Sequence, residues 1–229
     1  MVQKIILSDN YRKNIHDVLS TTVQRPKGQV LAYDKKPDGT LEKILDTSNL
    51  IVYQGREWLI QRALNQALSG DTHNSPGSFI SWFGLGTGGA SASILIPLVP
   101  LLTDTELYTP IIINDKTGTP CINDGKLHPL DEITLTQDPA NNNKYLIASI
   151  QINIGADDAD GPLGGSSVSD YYDINEAGLY VSDSRTQSDF TGPDAALHLA
   201  TIQLFARTTF STIRKYSERS IVFIWNIYF

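Results

Sequence analysis

Polar and apolar positions alternate most regularly near the end of the chain. Ile202, Leu204, Ala206, Thr208 and Phe210 fall on one side of a first run. Ile221, Phe223, Trp225, Ile227 and Phe229 do the same in a second. A period of two over this length marks strands with one face on a core. The stretch between them, Ser211–Ser220, is polar and basic, so the pattern predicts a hairpin with a long charged connection. The opposite face of the last strand is also apolar at Val222, Ile224 and Tyr228. A strand apolar on both faces is covered on both, by the rest of the fold or by a neighbouring subunit. Phe229 is expected to be packed.

Further elements follow from the same reading. Asp9 as an N-cap and Tyr11, Ile15, Val18 and Leu19 on one face predict a short helix within residues 9–24. Lys35-Lys36-Pro37-Asp38-Gly39 is a turn signal between Val30–Tyr33 and Leu41–Leu45, predicting a small hairpin. Trp58, Leu59, Ala63, Leu64, Ala67 and Leu68 make an apolar stripe that predicts one long helix over about 52–69, stopped by Gly70. Phe79–Gly84 reads as a buried strand. Ala90–Leu102 is apolar, but Pro97 and Pro100 make it extended rather than helical. Short strands are predicted at Ile111–Ile113, Ile133–Thr136, Leu146–Ile154 and Ile174–Val181. Gly155–Asp173 and Asp183–Asp194 are long polar loops. Short strands, Gly/Pro turns and one helix predict a mainly β fold, an antiparallel β-sandwich with a helix packed on it. Residues 1–45 are expected to form an N-terminal arm or small hairpin subdomain, and residues 46–229 the sandwich.

The 229 residues are enough to bury a substantial core, roughly 70% of the unfolded surface at this size. A net charge of −7 argues against binding nucleic acid or anionic membranes through the general surface. The single cysteine, Cys121, forms no internal disulfide, which suits folding in a reducing cytoplasm. Met1–Asp9 is too short in apolar residues for a signal peptide, and no apolar run approaches the ~20 residues of a membrane helix. An outer-membrane barrel would need export and many regular alternating segments.

Candidate chemistry is sparse. Gly84-x-Gly86-x-x-Gly89 has the spacing of a dinucleotide fingerprint, but that motif needs a helix directly after it. Two prolines follow instead, so the glycines read as a sharp turn after a buried strand. Asp157, Asp158 and Asp160, with Asp170 and Asp173 beyond, suit calcium in composition but fail the EF-hand register. A solvated acidic loop is the better reading. The four histidines have no zinc spacing, and Cys121 has no paired base to make it a nucleophile. No Gly-x-Ser-x-Gly elbow is present. Arg214, Lys215 and Arg219 read as a solvated hairpin tip or a binding patch.

Three segments carry a resemblance. Asn175-Glu176-Ala177-Gly178-Leu179-Tyr180 resembles an I-N-E-x-G-L-[FY] element of bacteriophage tail-fibre, collar and baseplate attachment domains. Leu204–Phe210, Ile213-Arg214-Lys215 and Ile221–Phe229 with Trp225 resemble the ending of the same domains. Trp82-Phe83-Gly84-Leu85-Gly86-Thr87-Gly88 is similar to their G-x-G-T-G turn. Together these cover about a third of the chain. The resemblance implies a non-enzymatic, β-rich virion component of the tail, baseplate or neck, folded in the host cytoplasm, with no cofactor. Its partners would be copies of itself and other virion proteins. Alternatives are a carbohydrate- or receptor-binding sandwich, or a polysaccharide-degrading accessory of the particle. Trp225, Phe223, Phe210 and Leu179 are the expected core anchors. Arg214, Lys215 and Arg219, opposite in sign to Asp157, Asp158 and Asp160, are the expected interface residues, together with the arm.

Overall fold

The structure, a computed structural model, describes residues 27–64, 78–91, 96–113, 124–137, 146–162, 170–184, 187–190, 193 and 195–229. The helix expected within 9–24, Cys121 and residues 1–26 of the expected arm lie outside these. The strands are β1 (Lys27–Lys35), β2 (Leu41–Ile51), β3 (Phe79–Gly86), β4 (Leu127–Pro129), β5 (Glu132–Gln137), β6 (Leu146–Ile154), β7 (Tyr171–Ser182), β8 (Gln203–Tyr216) and β9 (Ser220–Tyr228). The helices are α1 (Tyr53–Leu64) and a short α2 (Ala195–Leu199). No described helix is long and apolar enough to cross a membrane.

All nine strands join one antiparallel sheet in the order β4-β3-β7-β8-β2-β1-β9-β6-β5. The mainly β class is thus present, but the architecture is one curled sheet, half of a barrel, rather than a sandwich of two separate sheets. The halves meet at a corner where β2 and β8 share only the pairs Leu50↔Arg207 and Ile51↔Ala206. Curling brings the inner faces together. Phe83 of β3 lies 5.2 Å from Phe223 and 6.4 Å from Trp225 of β9, ring centre to ring centre, and Phe210 of β8 lies 6.5 Å from Phe223. Trp225, Phe223 and Leu179 are wholly buried and Phe210 nearly so.

Three expectations fail at the C-terminus. β8 pairs with β7 and β2, whereas β9 pairs with β1 and β6. They are not a hairpin; the chain crosses from one half of the sheet to the other. Nor is the connection long. β8 continues through Ser211–Tyr216, and only Ser217, Glu218 and Arg219 turn the chain, with the Arg219 N–H donating to the Tyr216 carbonyl. The second apolar face of β9 is partly covered: Val222 is buried and Ile224 and Tyr228 are half-buried. Phe229 remains half exposed rather than packed.

At the N-terminal side, β1 and β2 pair as the turn signal predicts. β1 then lies along the whole of β9, from Lys27↔Tyr228 to Lys35↔Ser220. Residues 27–45 are therefore integral strands, and the boundary expected at residue 45 falls inside β2. The helix α1 is described over twelve residues, Tyr53–Leu64, starting directly after β2; residues 65–69 of the long helix expected over 52–69, with Ala67 and Leu68 of its stripe, lie outside the described residues, so one long helix is not supported. Trp58 stacks edge-on against Phe205 at 5.6 Å and its indole N–H donates to Ser78 Oγ at 2.9 Å, which fixes the helix on the core. Ile111–Ile113 is not a strand, although Ile111 and Ile113 are buried and donate to the Leu85 and Gly125 carbonyls.

Truncating a buried large aromatic costs roughly 3–5 kcal/mol, a major part of a normal folding stability. Trp225→Ala should lose that much in chemical denaturation. The Trp225 indole N–H is buried without a partner, so Trp225→Phe, which removes the unsatisfied group along with some volume, should lose clearly less. Equal losses for the two variants would contradict this placement.

Candidate functional site

Two opposite charges stand inside apolar strands: Glu176 in β7 and Arg207 in β8. An ionised side chain is rarely fully buried unless it is paired. Both are completely buried, and they pair. Arg207 Nη2 and Nε donate to Glu176 Oε2 at 2.6 and 3.2 Å, and Arg207 Nη1 donates to Asp104 Oδ2 at 2.6 Å. The guanidinium carbon sits 3.6 Å from the ring centre of Tyr108, a cation–π contact on its face. Burial works against this charge, but the contacts with Tyr108, Glu176 and Asp104 outweigh it, and the Arg207 pKa is raised.

Glu176 also holds the chain that covers it. Its Oε1 accepts from the Gly88 N–H at 3.1 Å and the Thr109 N–H at 2.8 Å, and its Oε2 from the Tyr108 N–H at 3.1 Å. Asp104 Oδ2 takes the Leu101 N–H at 2.9 Å as well as Arg207. Residues 96–113 thus form a strap over β3, β7 and β8, bound by side-chain carboxylates. Backbone bonds finish it: Thr87 N–H to the Thr109 carbonyl, Leu98 N–H to the Gly89 carbonyl and Tyr53 N–H to the Leu102 carbonyl. The Thr209 hydroxyl donates to the Leu98 carbonyl.

The glycine run owes its composition to this packing. A Cβ at Gly86 would lie 2.4 Å from Glu176 Oε1 and 2.6 Å from the Thr109 carbonyl oxygen; one at Gly89 would lie 2.2 Å from the Asn175 carbonyl oxygen. Only glycine lets the backbone approach so closely. The Gly89 N–H donates to Asn175 Oδ1 at 2.6 Å. The amides at Gly88 and Gly89 are therefore taken by Glu176 and Asn175, not presented to a phosphate. A cavity of about 250 Å³ lies beside the strap, between Leu107, Lys126, Leu127 and Tyr180. It falls below the ~300–1,000 Å³ of small-molecule sites. Burial pushes the Tyr180 hydroxyl pKa up, so it stays a neutral phenol.

The residues expected at an interface are placed differently from one another. Arg214 is exposed, donates to both Asp173 oxygens at 2.9 and 3.2 Å, and lies over the Tyr171 ring. Arg219 donates to Asp34 Oδ1 at 3.3 Å and to the Arg214 carbonyl. Lys215 is not on the surface at all. Its ammonium is fully buried and donates to the Ala156 and Tyr216 carbonyls, each at 3.0 Å. Asp157 is exposed, Asp158 half-buried and bound to the Gly155 N–H, and Asp160 buried. The acidic loop and the basic stretch thus meet inside one chain: Lys215 lies in the field of Asp160, Asp158 and Asp157. This corrects the expectation that the opposite charges of Lys215 and the acidic loop are held for a neighbour. Alternation explains it, because in β8 Ile213 and Lys215 share the buried side while Arg214 points out. Among the described residues no group of three or more His, Cys, Asp or Glu side chains is placed to hold a metal ion.

Sequence reasoning quoted Glu176 and Arg207 as motif letters but assigned them no role, and it missed Asp104 and Tyr108. A signal for the pair was present: one acid and one base, each alone in an apolar strand. Asp104 and Tyr108 sit in irregular chain, where periodicity carries no information. No family model, no curated protein and no solved structure matches the chain.

Breaking one partner of a buried ion pair costs about 3–5 kcal/mol. Glu176→Ala should lose that much and expose residues 96–113 to limited proteolysis. Arg214→Ala, which removes an exposed and solvent-screened pair, should leave the stability nearly unchanged. Lys215 gives a separate test. Burial lowers its pKa from 10.5 to about 8, against the three aspartates that raise it. The unfolded chain keeps this proton up to about pH 10.4, so folding gains stability as pH rises from about 8 towards that value. The stability difference between Lys215→Met and wild type should shift in favour of wild type by on the order of 3 kcal/mol between pH 7 and 10.5. A flat difference would sink the assignment of a charged buried lysine.

Proposed function

We propose that this chain is a non-enzymatic structural component of a tailed-phage particle, in the tail, baseplate or neck, where it assembles with copies of itself and with other virion proteins. One observation carries the reading. The segments that resemble phage attachment domains supply the buried network together. Glu176 and Asn175 come from the I-N-E-like element, Arg207 from the Leu204–Phe210 segment of the ending, and Gly88 and Gly89 from and beside the glycine turn. Motif residues scattered over more than a hundred positions meet in one hydrogen-bonded unit, as expected of a scaffold device rather than chance letters. The unit is inward-turned: its carboxylates and guanidinium are buried and bonded to one another and to backbone amides. A rigid, inward-turned scaffold suits an assembly part.

Purified tailed-phage particles labelled with an antibody to this chain should show label at the tail, baseplate or neck in electron micrographs. Particles that lack the chain by peptide mass spectrometry would overturn the reading. The purified chain should also leave host surface polysaccharide intact; release of reducing sugar would favour a degrading accessory instead.

A further inference from the structure

The sheet ends on an edge, β5, that no described residue covers or blunts. β5, Glu132-Ile133-Thr134-Leu135-Thr136-Gln137, pairs with β6 on one side and lies at the end of the strand order. Natural edge strands avoid further pairing with lysines, prolines, bulges or covering loops. β5 has no lysine or proline, runs in register with β6 from Glu132↔Gln151 to Gln137↔Leu146 without a bulge, and is exposed at every residue. Its only charge is Glu132, at one end.

Its inner face is also incomplete. Ile133 stands opposite Ile150 and Leu135 opposite Ala148, so both continue the core face outward. Beside them are Leu146 and Phe229, which exchange backbone hydrogen bonds. Ile133 is 41%, Leu135 75%, Leu146 55% and Phe229 50% exposed. The core thus runs out into an apolar strip bordered by unpaired backbone. Polar groups of a strand edge are best satisfied by another strand, and an apolar strip by an apolar neighbour.

We propose that β5 is a self-association edge, pairing antiparallel with β5 of a second copy about a two-fold axis perpendicular to the sheet. The strand is complementary to itself in one register. With Thr134 opposite Thr134 of the second copy, Ile133 faces its Leu135 and Leu135 its Ile133, while each Glu132 faces a Thr136. Both apolar pairs fall on the core side, so the strips of the two copies merge. The two Glu132 carboxylates lie at opposite ends, so like charges do not meet, as they would in a parallel arrangement. An interface of this kind is isologous and closes as a dimer. The inference rests on the self-assembling part of the proposed function and not on the virion setting.

Sedimentation velocity on the full chain should show a concentration-dependent dimer. Leu135→Lys places a charge on the edge at a largely exposed position; it should yield monomer at concentrations where wild type is dimeric, with the thermal midpoint of wild type diluted to its monomer. Thr134→Cys in a Cys121→Ser background should form a disulfide-linked dimer on mild oxidation, since directly opposed strand residues lie within bridging distance. A wild-type chain that is monomeric at every concentration overturns both the edge and the self-assembling part of the reading. A dimer that survives Leu135→Lys and does not cross-link through Thr134→Cys overturns the edge alone and leaves assembly through another surface.

Discussion

The Arg207–Glu176 ion pair is the constraint on which the rest of this structure depends. Two unit charges in the interior are costly unless every proton and lone pair is answered. Arg207 answers with Glu176, Asp104 and the Tyr108 ring; Glu176 answers with Arg207 and three backbone amides. Each answer fixes a piece of irregular chain. Residues 96–113 have no helix or strand of their own to hold them, and it is the carboxylates that dictate their path. The same residue Arg207 pairs with Leu50 at the corner where the sheet turns. One side chain therefore sits where the strap, β7 and the corner of the curl come together.

Around that point the fold is organised by burial. The inner faces of the two halves share Phe83, Phe210, Phe223 and Trp225, so neither half has a complete core alone. A second cluster, with Trp82, Leu107, Tyr180 and Leu204, lies under the strap. This explains why β8 is buried along Leu204–Phe210 on both faces: one faces the shared core and the other faces residues 96–113.

Period-two patterning located most strands, because alternation reports which side of a strand is dry. It did not report partners. β8 and β9 are adjacent in sequence and matched in pattern, yet they belong to different halves, and a hairpin was the natural but wrong inference. The helix was legible at Trp58 and Leu59, while Ala67, Leu68 and the expected stop at Gly70 lie outside the described residues. Lys215 was read as surface because lysine usually is, although its place in the alternation beside Ile213 put it on the dry side. The network was half legible: Glu176 and Arg207 are conspicuous as charges in apolar strands, whereas Asp104, four residues after Pro100 in an extended stretch, offers no pattern at all.

The ion network also has a kinetic meaning. Its bonds join residues 31, 67, 88 and 103 positions apart in the chain. Contacts of such separation place a protein among slow folders, since the entropy of long loop closures precedes any return from the contacts. Arg207 and Glu176 keep their hydration until β7, β8 and the strap are all within reach. The charges are thus expected late in folding, as a check on the topology: a chain with its strands threaded in another order would trap them dry and unpaired.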